Sequence, residues 1–292
     1  MPTQILSAKP VVLPAPQRGD DLQVRISAPA TGRDLPVIVF AHGFGQAMDS
    51  YDPLVDFWAA NGFVVVQPTF LDSATLGLTP ADPRYPEIWR TRVADLERVI
   101  DDLDPILAAI PGLAGRVDRE RLAVAGHSWG GQSAGMLLGA RVAGEGEDAT
   151  DKRVKAGVLL ATTGVGGADL TPFARDNFPF MSPDFTQLNT PTLVVAGDHD
   201  QSQLSTRGPD WFTDVYALSP GAESLLTVFG GEHSLGGIHG YRAADTTDES
   251  PERVDLIRRA SWAFLRKALE IDATDWQNIT AAPGPAGSIV AK

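Results

Sequence analysis

The sequence has no cysteine among its 292 residues. This absence excludes disulfide bonds, a thiolate nucleophile and thiolate-ligated metal centres. No apolar run approaches the roughly 18 residues that a membrane-spanning helix needs. The first 21 residues also lack a basic start followed by an apolar stretch, so they do not have the pattern of a signal peptide. We therefore expect a cytoplasmic protein without a membrane span.

Basic residues are scarce relative to acidic ones. Lys and Arg number 24 against 37 Asp and Glu, which gives a formal net charge of −13. Because such a charge repels phosphate backbones and anionic lipid surfaces, we expect neither nucleic acid nor an anionic membrane as a partner. Composition leaves the oligomeric state open.

Apolar runs that lack alternation are the clearest structural pattern, and they are typical of strands buried on both faces. They lie at residues 36–41, 62–68, 121–125, 155–161, 191–196 and 225–229, and residues 22–27 alternate like a half-exposed strand. Amphipathic helices are predicted between them, one at 87–109 that Pro105 should kink or end early and one that begins after Ser250. This alternation predicts an α/β fold with a mostly parallel central sheet, helices on both faces and no large separate cap domain. We expect one domain over residues 1–272 and a poorly ordered tail over 273–292.

The most informative motif is Gly-His-Ser-Trp-Gly at residues 126–130. It follows the apolar run 121–125 and precedes a segment of small residues, which predicts a strand, a tight turn and a helix with Ser128 at the tip. Glycine is required on either side because such a turn leaves no room for Cβ atoms. The turn would expose the Ser128 hydroxyl and leave the next backbone N–H free at a helix start, supplying a nucleophile and half of an oxyanion hole. The alternative is a glycine-rich loop with a solvated serine.

A serine nucleophile needs a base, and the base needs an acid that orients it. The expected chain order is serine, acid, histidine. The run 193–196 leads into Asp198 and Asp200, and we favour Asp200 because Asp198 is better placed to bind backbone N–H groups of the turn. Asp198 remains the alternative acid, and both could be turn residues only.

The predicted base is His233, which follows the last short strand on a glycine-rich loop. His239, later in the same loop, is the second choice. The second oxyanion donor is expected from His-Gly-Phe-Gly at residues 42–45, where the backbone N–H of Phe44 would act together with that of Trp129. We expect His42 to hold this loop through local hydrogen bonds.

The substrate pocket is expected to be apolar and to include Phe44, Trp129 and Trp89, although core packing is the alternative role for Trp89. The irregular segments 71–86 and 164–189 follow strand ends and are expected to wall the pocket. A metal site built from Asp198, His199, Asp200 and His233 is disfavoured, because adjacent residues in an extended turn point apart. We expect no metal and no other cofactor.

With these motifs in order, the chain resembles the α/β-hydrolase superfamily from about residue 20 to 270. The combination of residues 42–45 with Gly-His-Ser-Trp-Gly-Gly at 126–131 is similar to the chlorophyllase and dienelactone-hydrolase-like branch and to cutinase-type polyester hydrolases. The resemblance implies the α/β-hydrolase fold and a triad of Ser128, Asp200 and His233.

The predicted function is that of a serine carboxylesterase acting on small to medium, uncharged esters through an acyl-enzyme. Two alternatives remain: a perhydrolase or C–C bond hydrolase that uses the same triad, and a non-catalytic binding protein on a hydrolase fold.

Overall fold

The computed structural model describes residues 3–79, 81–240 and 246–292. Its strands are β1 (Ile5–Leu13), β2 (Leu22–Pro29), β3 (Leu35–Ala41), β4 (Val64–Pro68), β5 (Val117–His127), β6 (Arg141–Val142), β7 (Val154–Leu160), β8 (Pro183–Asp184), β9 (Thr192–Gly197), β10 (Ala222–Val228) and β11 (Gly287–Ala291). Its helices are α1 (Asp52–Ala60), α2 (Ile88–Asp101), α3 (Leu103–Ala108), α4 (Trp129–Leu137), α5 (Pro172–Asn177), α6 (Asp214–Leu218), α7 (Pro251–Ala268) and α8 (Thr274–Ala281). Pro80, in the segment expected to wall the pocket, lies outside the described residues.

The central sheet has nine strands in the order β1-β2-β4-β3-β5-β7-β9-β10-β11. The strands from β4 to β10 run parallel, whereas β1, β2 and β11 join antiparallel at the two sides. Parallel strands place their carboxyl ends at one edge of the sheet, so the loops after β3, β5, β9 and β10 meet there.

Helices cover both faces of the sheet. Helices α1 and α7 contact each other and pack on one face, while α2 and α4 contact each other and pack on the opposite face. Residues 164–189 contain only short elements, namely a 3-10 turn at Gly167–Asp169, α5 and β8, and no separate cap domain is present in the ranges described. The architecture is the predicted α/β-hydrolase fold. None of the helices described is long and apolar enough to cross a membrane.

Two predicted elements are modified by their surroundings. Strand β2 is buried along nearly all of its length rather than half-exposed, because β1 and β4 flank it and α1 and α3 pack against it. The helix expected over 87–109 is interrupted at Asp102, between α2 and α3. The interruption follows from Pro105, since its ring clashes with the carbonyl of Asp101, four residues earlier.

The poorly ordered tail expected after Asp272 is corrected by the structure. Residues 274–281 form α8, and β11 pairs antiparallel with β10 along its whole length. Trp276 is buried with its ring centroid 5.2 Å from that of Phe264 on α7. The physical reason is that β10 would otherwise present an unpaired edge, which β11 satisfies with backbone hydrogen bonds.

Candidate active site

Ser128 occupies a strained turn between β5 and α4. Its backbone angles are φ 56° and ψ −123°, a region that residues with side chains rarely adopt. A Cβ atom added to Gly126 would lie 2.2 Å from the carbonyl oxygen of Gly130, and one added to Gly130 would lie 2.1 Å from that of Ala41. The glycines on either side of Ser128 are therefore required by backbone contact.

Ser128, His233 and Asp200 form one hydrogen-bonded chain at the carboxyl edge of the sheet. The Oγ atom of Ser128 lies 2.9 Å from Nε2 of His233, and Nδ1 of His233 lies 3.0 Å from Oδ2 of Asp200. Asp200 is fully buried, while the imidazole of His233 is 40% exposed toward the pocket side. In this arrangement Asp200 can accept a hydrogen bond from Nδ1–H of His233, so that the lone pair of Nε2 faces the serine hydroxyl.

The two aspartates after β9 have different partners. Oδ1 of Asp198 accepts a hydrogen bond of 2.6 Å from the backbone N–H of Gly230, which is the turn role expected for it. Asp200 instead contacts His233. Burial raises the pKa of the Asp200 carboxyl, an effect that the hydrogen bond from His233 opposes. The ionised form of Asp200 therefore depends on its histidine partner.

The two expected oxyanion donors come from the loop after β3 and from the start of α4. Phe44 lies in a turn, and within the described part of the chain its backbone N–H has no hydrogen-bond partner. Trp129 is the first residue of α4, where backbone N–H groups have no acceptor inside the helix. Both residues also line the cavity in front of Ser128.

A buried arginine that the sequence analysis did not single out supports this loop. Arg92, on α2, donates from Nη1 to Oδ1 of Asp72 at 2.6 Å and from Nη2 to the carbonyl oxygen of His42. Its guanidinium carbon lies 4.1 Å from the ring centroid of Phe70 and 4.9 Å from that of Trp129. The Arg92 side chain thus holds the carbonyl of His42, at the start of the loop 42–45, and packs against the ring of Trp129.

His42 holds the same loop through both ring nitrogens. Nδ1 lies 2.7 Å from the carbonyl oxygen of Gly43, and Nε2 accepts a hydrogen bond of 3.0 Å from the backbone N–H of Phe70. Burial, and next the charge of Arg92, lowers the pKa of His42 to about 4. A neutral His42 matches its two contacts, one as donor and one as acceptor, and its role in the structure is the local one expected from the sequence.

A cavity of about 340 Å³ opens in front of Ser128. Its lining is mostly aromatic and aliphatic: Phe44, Ser128, Trp129, Thr163, Phe178, Met181, Ser202, Gln203, Leu204, Trp211, Phe212 and His233. Apart from His233, no ionisable side chain occurs among these described lining residues. The segment 164–189 contributes Phe178 and Met181, whereas residues 71–79 and 81–86 contribute no lining side chain.

Trp89 does not belong to this cavity, which corrects the prediction for it. Trp89 is buried on α2 and borders a different hollow together with Val93 and Met136. The guanidinium carbon of Arg90 covers its ring at 4.2 Å. The reason is its helical phase, since Trp89 shares the apolar face of α2 with Val93 and packs into the core.

The second wall of the cavity, from residues 202 to 212, was not predicted. The indole Nε1 of Trp211 donates to the carbonyl oxygen of Val165 at 2.8 Å, and the Val165 N–H donates to Oδ2 of Asp214 at 2.9 Å. Arg207 contacts Asp214 at 2.9 Å and Asp169 at 3.0 Å. These bonds tie the two walls together. The same rule that selected segment 164–189 could have selected this one, because it follows the carboxyl end of β9.

His127 and His239 are buried beside His233. His239, the second candidate for the base, is buried with Nε2 at 3.2 Å from Nδ1 of His127. The histidine nitrogen that Ser128 Oγ contacts is Nε2 of His233. Over the described ranges, no group of three or more His, Asp or Glu side chains is arranged to hold a metal ion.

Comparison with known proteins agrees with this geometry. The sequence profile of the Chlorophyllase family matches residues 11–196. The platelet-activating factor acetylhydrolase of Cavia porcellus is 23% identical over 286 residues, which cover 83% of this chain and 59% of that protein. The chain thus spans less than two thirds of the length of this curated relative. Both matches agree with the prediction of a serine hydrolase of carboxylic esters. Because the profile covers more than half of the chain, including residues 42–45 and 126–130, the chain belongs to the Chlorophyllase family.

Proposed function

We propose that this protein is a serine carboxylesterase in which Ser128 is the nucleophile, His233 the general base and Asp200 the orienting acid. The observation that carries the proposal is the 2.9 Å contact between Ser128 Oγ and His233 Nε2, made at the mouth of an apolar cavity. The unusual backbone of Ser128 supports it, because strain of this kind persists where the surrounding structure enforces it for function.

The proposed reaction has two halves. Ser128 attacks the ester carbonyl while His233 takes the hydroxyl proton, and the N–H groups of Phe44 and Trp129 stabilise the tetrahedral oxyanion. His233 then gives its proton to the departing alcohol, which leaves an acyl-enzyme on Ser128. A water molecule, deprotonated by His233, releases the carboxylic acid and restores the serine.

The proposed substrates are uncharged esters with small to medium acyl or alkyl groups. A cavity of about 340 Å³ is at the lower end of the range for small-molecule sites, roughly 300–1,000 Å³. No Lys or Arg occurs among the described lining residues to pair with a substrate carboxylate or phosphate, and the net charge of −13 repels anions.

The decisive experiment compares the wild type with Ser128→Ala on nitrophenyl esters and with a fluorophosphonate probe. We expect the variant to fold, since alanine fits the same turn, and to lose at least about a thousandfold in kcat and all labelling. Retained turnover by folded Ser128→Ala protein would refute the mechanism.

An ester series tests the substrate class. Neutral nitrophenyl esters of increasing acyl length and one anionic succinate monoester should show a preference for the short, neutral members. Phe178→Ala widens the cavity and should move the preference toward longer chains. Phe229→Ala is the matched control, because this side chain is 44% exposed and is not among the lining residues. Equal rates for the anionic and neutral esters would refute the proposed substrate class.

A further inference from the structure

His127 and Ser128 contact the same histidine from two sides. The Oγ atom of Ser128 meets the side chain of His233, while Nε2 of His127 lies 2.9 Å from the backbone carbonyl oxygen of His233. Consecutive residues of one rigid turn therefore fix both the imidazole and the peptide of the proposed base. The ring centroids of His127 and His233 are 4.9 Å apart, so the two imidazoles are also in contact.

The other ring nitrogen of His127 is braced from behind. Oη of Tyr51 and Nε2 of His239 lie 3.0 Å and 3.2 Å from Nδ1 of His127. The backbone N–H of Gly43 donates to Oη of Tyr51 at 3.0 Å. Tyr51 therefore joins His127 to the residue that precedes Phe44, and the network connects the loop of the proposed oxyanion donor to the loop of the proposed base.

These contacts select one protonation state of His127. Its Nε2 faces a carbonyl oxygen, which only accepts, so this nitrogen must carry the proton and Nδ1 must be the acceptor. Burial, together with the neighbouring imidazoles of His239 and His233, lowers the pKa of His127 well below its usual value. A neutral ring at this place has a physical advantage, because a cation so close would oppose the positive charge that His233 acquires in each half-reaction.

We propose that His127, braced by Tyr51 and His239, is a positioning residue that holds the backbone of His233 so that its imidazole stays aligned with Ser128. The proposal rests on the function proposed above. The role is separate from proton transfer, since His127 contacts neither Ser128 Oγ nor Asp200 through the hydrogen bonds described. Displacements of a catalytic group by about 1 Å can cost a hundredfold in rate, so such an anchor has a measurable effect.

The test uses two substitutions that differ in one hydrogen bond. His127→Leu fills much of the space but has no donor, whereas the amide N–H₂ of His127→Gln can reach the position of Nε2. We expect His127→Leu to lower kcat by about tenfold to a hundredfold with KM little changed, and His127→Gln to recover most of that loss. Tyr51→Phe keeps the bond to His233 and should cause a smaller loss.

The stability control is Ser261→Ala. Ser261 accepts a buried hydrogen bond of 3.0 Å from Nε1 of Trp58, between α7 and α1 and away from the site. It should lower the melting temperature without changing kcat per active enzyme. All rates are divided by the fraction of protein that a fluorophosphonate probe labels at saturation, so that loss of folded protein does not count as loss of turnover.

The outcomes separate this inference from the proposed function. Wild-type kcat per labelled site in His127→Leu would overturn the positioning role alone. A folded His127→Gln variant as slow as His127→Leu would overturn it as well. If His127→Leu does not fold, His127→Asn replaces it, because its shorter amide can reach the position of Nδ1 but not that of Nε2, and equal kcat in His127→Asn and His127→Gln contradicts the proposal. Absence of ester hydrolysis and of labelling in the wild type would instead refute the proposed function itself.

Discussion

Arg92 and Asp72 form an ion pair, with Nη1 and Oδ1 2.6 Å apart, in which both side chains are fully buried. The pair lies beneath the loop after β3, because Arg92 also donates to the carbonyl of His42 and Oδ2 of Asp72 lies 3.4 Å from the backbone nitrogen of Gly45. A buried pair of this kind is costly to disrupt from one side only, since the remaining charge stays out of water.

Replacing Arg92 should therefore destabilise the protein strongly. We expect Arg92→Met to lower the free energy of unfolding by about 3–5 kcal/mol, because the Asp72 carboxylate is left without its cation. The matched control is Arg90→Met on the same helix, whose ion pairs with Glu87, Glu145 and Glu147 are at the surface and should contribute less than about 1 kcal/mol. Urea denaturation measures both, and equal losses would contradict this account. The double variant Asp72→Asn/Arg92→Met should be more stable than Arg92→Met alone.

The two aspartates after β9 allow a paired test of the acid. Asp200→Asn removes the carboxylate that accepts the hydrogen bond from Nδ1–H of His233, and kcat should fall by about a thousandfold to ten-thousandfold. Asp198→Asn changes a turn contact to Gly230 and should retain most of the activity. Steady-state kinetics on one nitrophenyl ester decides, and the reverse pattern would move the acid to Asp198.

The lowered pKa of His42 predicts that the folded protein loses stability in acid. Its pKa is lowered from 6.5 to about 4 in the folded protein, chiefly by burial, so the unfolded chain takes up the proton first. The stability that neutral His42 contributes is present above pH 6.5 and is lost as the pH falls toward 4, by about 3 kcal/mol in all. Asp95 opposes this, because burial raises its pKa to about 6 and its protonation favours the folded state in the same window.

The variant His42→Gln separates the contribution of His42 to the pH dependence of stability from that of Asp95. His42→Gln retains Asp95 but has no titrating side chain at position 42, so its stability should fall less between pH 7 and pH 4.5 than that of the wild type. Urea denaturation at both pH values measures the difference. Parallel behaviour of the two proteins would show that His42 does not contribute to the acid sensitivity.

Two glycines of α4, the helix that follows the Ser128 turn, should respond oppositely to substitution by alanine. A Cβ atom at Gly130 would lie 2.1 Å from the Ala41 carbonyl oxygen, so Gly130→Ala must push α4 away from β3 and should abolish activity and destabilise the fold. At Gly135 the nearest atom, Cδ1 of Leu159, is at 3.7 Å, and Gly135→Ala should be neutral or more stable by up to about 1 kcal/mol. Thermal unfolding and ester turnover test the pair. If Gly130→Ala kept the activity and stability of the wild type, the result would contradict the close contact between the start of α4 and β3.

Local sequence patterns predicted the structure correctly where the residues that determine an element are close together in the chain. The buried strands, the interruption near Pro105 and the start of α7, where the Ser250 side chain accepts from the backbone N–H of Arg253, all follow from such patterns. The order of Ser128, Asp200 and His233 also follows from the sequence once the sheet is parallel, because each of these residues lies in the loop or turn that follows the carboxyl end of a strand.

Sequence patterns did not predict the structure where a residue or segment packs against a part of the chain that is distant in the sequence. The tail after Asp272 looks polar and rich in glycine and proline, yet β11 forms because the edge of β10 is available to it. Trp89 is a large aromatic residue of the kind that often lines pockets, but its position on α2 places it in the core, beside a different hollow. Arg92 gave no sequence signal, since one arginine in an amphipathic helix is typically at the surface.

The sequence by itself determined that Ser128 lies on a tight turn between a strand and a helix, because the need for glycine in this turn depends on a few adjacent residues. It also determined that the candidates Asp200 and His233 follow strands of one sheet. Only the tertiary structure brought Asp200, and not Asp198, to Nδ1 of His233. It also placed the 202–212 wall beside Phe178 and brought His127 to the carbonyl of His233. These are contacts between loops far apart in the chain, and they exist only after the parallel strands have set the positions of their carboxyl ends.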